Sequence, residues 1–263
     1  MTSFYQMVFG RLLKEGRIDR SDSLLVVCGG ELDYRELKAL GFTNVTLSSL
    51  DTSFADRVEA PYRWAREDAE NLSFDDGEFD VVAVHEGLHH CRSPHRSLLE
   101  MYRVARKGIV IMESRDSALI RAGCAIGYVA DYELEAVADN GLRYGGVSYS
   151  SIPNFVYRWT ERDLVKTMNT AHPEWVHDIK YFYNTTLPTG RIKMARNPLK
   201  KLLYMVAMPA IYCFLKLFPK QANRFGFWVR KEGLALQPWL KEMDGTIDAD
   251  PAYFATRFNT KQS

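Results

Sequence analysis

Between residues 67 and 116 the sequence concentrates groups that bind ligands or move protons. Glu67-Asp68-Ala69-Glu70 is an acidic turn. His85-Glu86 and then His89-His90-Cys91 follow it, and Glu113-Ser114-Arg115-Asp116 closes the stretch. A histidine titrates near pH 6.5 in water, about where a proton acceptor is useful at neutrality. An ionised carboxylate accepts hydrogen bonds from hydroxyl and amino groups. His85, Glu113 and His89 are therefore the candidate catalytic residues. For His89-His90 the first explanation is structural, since such a pair commonly starts a surface-packed helix. His85, His89, His90, Cys91 and His95 are numerous enough to suggest a metal, but their spacing matches no structural zinc pattern, so no metal site is expected.

Two further groups lie upstream. In Val26-Val27-Cys28-Gly29-Gly30-Glu31-Leu32-Asp33 the adjacent glycines Gly29 and Gly30 would let backbone N–H groups approach a ligand closely. Any tight strand-to-helix turn could use them as well. In Ser48-Ser49-Leu50-Asp51 an acid could accept hydrogen bonds from both hydroxyls of a ribose, or simply cap a helix.

The elements that would position these residues alternate. Leu24–Val27, Val45–Leu47, Trp64–Arg66, Phe79–Val84 and Gly108–Met112 are short apolar runs that read as strands. Helical segments separate them, one running through Leu40 and stopping at Gly41, another over Ser97–Arg106. That alternation means βαβ units and a parallel sheet covered on both faces. Each of the residue groups above follows one of the strands. Ligands of open parallel sheets bind outside the carboxyl ends of the strands, so all of them fall on one side. Further on, Thr160 with Asp163 signals a capped helix through Met168, and Val176–Tyr183 and Phe225–Arg230 read as two more strands.

The run Glu67–Leu72, then Phe74-Asp75-Asp76-Gly77-Glu78-Phe79-Asp80-Val81-Val82, then Leu88-His89-His90 and the helix Leu98–Arg106, resembles the class I S-adenosylmethionine-dependent methyltransferases. More narrowly it resembles their small-molecule, methyltransferase type 11-like branch. With the first two strands the likeness covers about residues 22–116.

The resemblance implies an α/β, Rossmann-like seven-stranded sheet with helices on both faces. It also implies S-adenosyl-L-methionine as cofactor. On that likeness Asp68 would accept from the adenine amino group, with the Ala69 N–H beside it. Gly29 and Gly30 would pass under the methionine part, and Ser49 or Asp51 would hold the ribose. His85 would line cofactor and substrate. The usual acid and GxGxG of the first motif are reduced here to Val26 and the Gly29-Gly30 doublet. Glu31 or Asp33 would then take over the methionine ammonium. The expected activity is methyl transfer to oxygen of a small molecule or of a glycan or lipid-linked intermediate. The alternative is a catalytically inactive binding or scaffolding domain, which the reduced glycine motif favours and the Asp68 region opposes.

The whole chain bounds these readings. With 263 residues and 46% hydrophobic content it suits one domain with an elaboration. Its 34 basic and 33 acidic residues give no excess with which to bind nucleic acid. Cysteines at 28, 91, 124 and 213 form no CxxC pair, and the first residues lack a secretory pattern, so a cytoplasmic location is expected.

Residues 1–22 read as an N-terminal helix, 23–240 as the main domain, and 241–263 as a loose polar tail. Within the domain, 185–222 reads as an apolar helical insert between the last two strands. Its segment 199–218 follows a helix start at Asn197-Pro198, contains Pro209, and is flanked by Lys200, Lys201, Lys216, Lys220 and Arg224. The uninterrupted apolar part, 202–215, falls short of the about 20 residues of a membrane span. If Val176–Tyr183 and Phe225–Arg230 are the last two strands, the insert roofs the site. It then serves as peripheral contact with the inner face of an anionic membrane, or else completes the core or a homodimer contact.

Overall fold

A computed structural model describes residues 3–186 and 198–258. Its seven-stranded sheet comprises β1 (Leu24–Val26), β2 (Val45–Ser48), β3 (Arg63–Ala65), β4 (Phe79–His85), β5 (Ala105–Ser114), β6 (Ile179–Asn184) and β7 (Arg224–Arg230). The strand order is β3-β2-β1-β4-β5-β7-β6. β1 to β5 pair in parallel, while β7 runs antiparallel between β5 and β6. The order reverses between β1 and β4, which places a crevice at their carboxyl ends.

Alternation along the strands supplies two cores. Leu24 and Val26 of β1, Val81 and Ala83 of β4, and Val110 and Met112 of β5 face α1 (Phe4–Lys14) and α2 (Glu31–Leu40). Leu25, Val82, Val84, Ile109 and Ile111 face the other way, onto α3 (Pro94–Val104) and, further along the chain, the helix Glu161–Ala171. In β7 a Cβ at Gly226 would lie 3.0 Å from Phe4 and 3.4 Å from Val8, so the glycine lets α1 lie close to the sheet. The helix Glu161–Ala171 opens with the expected reciprocal cap: the Asp163 N–H donates to Thr160 Oγ1, and the Thr160 N–H donates to Asp163 Oδ2. Two short helices, α4 (Ala118–Ala125) and α5 (Leu134–Asp139), lie between β5 and that helix, which is α6.

Between β6 and β7 stands α7 (Pro198–Leu217), the expected apolar helical insert. Leu215 is buried, whereas Leu202, Val206, Tyr212, Phe214 and Leu217 are exposed. No helix is long and apolar enough to cross a membrane among the described residues. The first part of the insert, 187–197, lies outside the described residues.

Two expectations are corrected. The run Val176–Tyr183 is not one strand: Trp175–Val176 pairs with Ala235–Leu236, and β6 begins at Ile179. The chain turns at His177-Asp178, where Asp178 is held by Arg17 at 2.9 Å. The tail is not loose over 241–258. Leu240–Met243 and Thr246–Ala249 form a hairpin through Asp244-Gly245, both at positive φ, the sequence that a two-residue primed turn prefers. Asp250 then accepts from the Ala252 N–H at the start of α8 (Pro251–Phe258).

Candidate functional site

A cleft of about 250 Å³ opens at the carboxyl ends of β1 to β4. Cys28, Ser49, Asp51, Asp68, Ala69, Glu86 and Gly87 line its sheet side, and Asn140, Tyr144, Gly145, Gly146, Ser148 and Tyr149 line the opposite wall. Cys28 and Glu86, at the ends of β1 and β4, hold φ values of 52° and 51°, a region costly for residues with a Cβ. Next to them Gly87 has no room for a side chain: a Cβ there would lie 2.5 Å from that of Cys28.

The acidic turn is held in place from several sides. Asp68 Oδ1 accepts from the Glu70 N–H at 2.9 Å, and the Asp68 carbonyl accepts from the Asn71 N–H. The Glu70 carboxylate takes the Arg92 and Ser93 N–H groups at the start of α3. Arg103 clamps the Leu72 and Phe74 carbonyls. Asp68 and Ala69 are thereby presented at the cleft edge. Ser49 and Asp51 both line the cleft and are joined, the Asp51 N–H donating to Ser49 Oγ at 3.1 Å. Burial and the nearby Asp51 carboxylate push the Tyr149 hydroxyl up to about 12.

The glycine doublet behaves differently from expectation. Neither Gly29 nor Gly30 lines the cleft; Cys28 does. The Gly29 N–H donates to the Ser48 carbonyl, and the Gly30 N–H to Asp33 Oδ2, both at 2.9 Å. Asp33 is buried, which raises its carboxyl to about 6. Glu31 points to Arg57 at 3.4 Å. Neither acid lines the cleft.

Of the three candidate catalytic residues, Glu113 and His89 come together and His85 stands apart. Strand alternation carries His85 to the α1 face, where its ring meets Tyr5 edge-on at 5.6 Å, and it does not line the cleft. Glu113, in step with Ile111, faces the opposite core. It is buried, accepting from the Leu88 N–H and bonding His89 Nδ1, each at 2.7 Å. His89 and His90 sit in the 3-10 turn Leu88–His90.

Glu133, just before α5, lies 3.6 Å from His89 Nε2 and 3.3 Å from His90 Nε2. Burial works to lower the His89 pKa, but Glu113 and Glu133 outweigh it and raise it to about 10. Burial and the neighbouring His89 lower that of His90. The neighbouring His89 brings Glu133 down to about 2. His90 lines the cleft, while His89, Asn154, Phe155 and Tyr157 line a second hollow beside it.

Glu133 and the 140–149 wall carry no sequence signal. Both belong to the segment between β5 and α6, where no motif marks them. The insert is not the expected roof, since no described residue of α7 lines either hollow. β6 and β4 are three strand spacings apart, ~14 Å, so a helix rising from the sheet edge stands beside the cleft.

An acid after β2, an acid after β3 and a side-chain-free Gly87 after β4 thus line one cleft. Residues 24–112 match the family model described as a methyltransferase domain. No curated protein matches the chain in sequence. Among solved structures, an S-adenosylmethionine-dependent methyltransferase from Mesorhizobium loti is similar at a TM-score of 0.52 and 12% identity, over 86% of this chain and 98% of that one. Magnesium protoporphyrin IX methyltransferase from Synechocystis PCC 6803, solved with bound S-adenosylhomocysteine, is similar at a TM-score of 0.51 and 11% identity, over 87% and 82%.

Proposed function

We propose, from the premise that this chain carries a class I S-adenosylmethionine-dependent methyltransferase domain, that it methylates an oxygen of a small-molecule, glycan or lipid-linked acceptor. The observation that carries this reading is the shared cleft of Asp51 and Asp68 at neighbouring strand ends. Asp68 and the Ala69 N–H would hold the adenine, Ser49 and Asp51 the ribose, and Cys28 with Gly87 would border the methionine part. S-adenosylmethionine supplies a methyl already activated on a sulfonium, so placing the acceptor oxygen in line provides much of the rate.

The hollow beside His89 and His90 is where the acceptor would lie. Of the three candidate catalytic residues only His89 lines it; Glu113 acts by orienting His89, and His85 belongs to the α1 core. The exposed apolar side chains of α7, with Lys216 and Lys220 near them, favour an acceptor presented at an anionic membrane surface. A second reading, binding without catalysis, is favoured by the glycine turn, whose N–H groups are spent on Ser48 and Asp33.

Thermal unfolding with and without S-adenosylhomocysteine tests the cofactor site. A ligand at 100 times its dissociation constant stabilises by about 2.7 kcal/mol. Asp68→Ala should remove the shift. No shift at millimolar ligand would sink the methyltransferase reading. A shift without methyl release from labelled S-adenosylmethionine, tested across acceptor extracts, would favour the non-catalytic one.

A further inference from the structure

We infer that His89, His90 and Glu133 form a binding site for a divalent transition-metal ion of the zinc class. One ligand atom from each residue can be chosen so that all lie within 4.8 Å of one another. A single carboxylate oxygen, Glu133 Oε2, lies 3.6 Å from His89 Nε2 and 3.3 Å from His90 Nε2. Around a tetrahedral ion with bonds of about 2.0–2.1 Å, neighbouring donors stand about 3.3–3.4 Å apart. The two edges that meet at Glu133 Oε2 are therefore already close to that length.

The surroundings are those of a metal-bound imidazole. His89 Nδ1 is bonded to Glu113 at 2.7 Å, which sets the ring orientation and directs Nε2 toward Glu133, where it can coordinate an ion once its proton is displaced. Glu113 is itself fixed by the Leu88 N–H. Asn154, also buried, donates to Glu133 Oε2 at 3.2 Å and orients that carboxylate. A divalent cation balances the two carboxylates, Glu113 and Glu133, taking the place of the proton that they otherwise hold on His89. Three protein donors leave a coordination position open, as in zinc sites that bind a water or a substrate. The cluster stands between the cleft that His90 lines and the hollow that His89 lines. An oxygen donor of the acceptor is the chemistry that would occupy that open position.

The spacing of 85–95 gave no sign of this, because Glu133 comes from a distant segment. The inference does not depend on methyl transfer, and its test uses no methyl donor. The full chain, stripped with a chelator, is dialysed against micromolar Zn²⁺ and, separately, Co²⁺. One equivalent per chain is expected, with the visible absorption of a low-symmetry Co²⁺ site. His90→Ala and Glu133→Gln, both at partly exposed positions, should each weaken binding about 100-fold or more. Glu113→Gln, which removes only the orienting carboxylate, should weaken it about 10- to 100-fold. Binding well below one equivalent would overturn the inference. So would binding that persists unchanged in both the His90→Ala and Glu133→Gln proteins, because the metal would then sit elsewhere, for instance on Cys28 and Cys91.

Discussion

His89 and Glu113 meet at 2.7 Å, both buried, although 24 residues separate them in the chain. Strand β5 delivers the carboxylate, and the 3-10 turn after β4 delivers the ring. The second oxygen of Glu113 holds the Leu88 N–H, so a single side chain fixes the turn that carries both histidines. Glu113 is accordingly a positioning residue.

Glu113→Ala should cost about 3–5 kcal/mol of stability, since it leaves the His89 ring and the Leu88 N–H buried without their partner. Glu113→Gln keeps an acceptor oxygen and should cost about 1–3 kcal/mol. Urea unfolding midpoints measure both. A Glu113→Ala protein as stable as the parent would mean the turn is held by other contacts.

The sheet was legible because its signals are local: runs such as Leu24–Val26 and Phe79–His85, separated by capped helices, announce parallel strands without any tertiary information. Asp68, Ser49 and Asp51 were legible for the same reason, as each follows a strand directly. His85 was misplaced because the side of the sheet on which a strand's last residue emerges depends on register and on what packs there, here Tyr5 of α1. Glu133 and Tyr149 were invisible because they reach the site through a long irregular connection between β5 and α6. There Ser148 and Tyr149 take left-handed conformations that no glycine advertises. The tail hairpin was readable after all, in the Asp244-Gly245 dipeptide.

Asp33 makes stability depend on pH. Burial raises its carboxyl from 3.8 to about 6, so between those values the folded chain holds a proton that the unfolded chain has released. This contribution is fully present below about pH 4 and is lost as pH rises through about 6, lowering stability by up to about 3 kcal/mol at neutrality. Asp33→Asn keeps an oxygen to accept the Gly30 N–H and removes the buried charge. The difference in unfolding free energy between variant and parent should therefore grow with pH between 4 and 6, in the variant's favour. A difference that stays flat over that range would show that Asp33 ionises at no cost in the fold.

Helix α7 exposes Leu202 at 58%, Val206 at 69% and Leu217 at 75%, and Phe218 beyond its end at 53%. A fully buried side chain of this size is worth about 1.5–3 kcal/mol, so leaving several in water favours any apolar phase they can enter. Exposed Lys216 and Lys220 add about 1 kcal/mol each near an anionic surface. The protein should therefore float with vesicles containing phosphatidylserine, and less with phosphatidylcholine alone. High salt should weaken the first binding much more than the second. Val206→Asp with Leu217→Asp should reduce vesicle partitioning about 100-fold or more while leaving the S-adenosylhomocysteine thermal shift in place, because neither side chain lines the cleft. If the double variant floats as well as the parent, the exposed face of α7 is not what meets the lipid. If the parent does not float at all, that face awaits a protein partner or a second copy of this chain, and an acceptor delivered from a membrane surface is excluded.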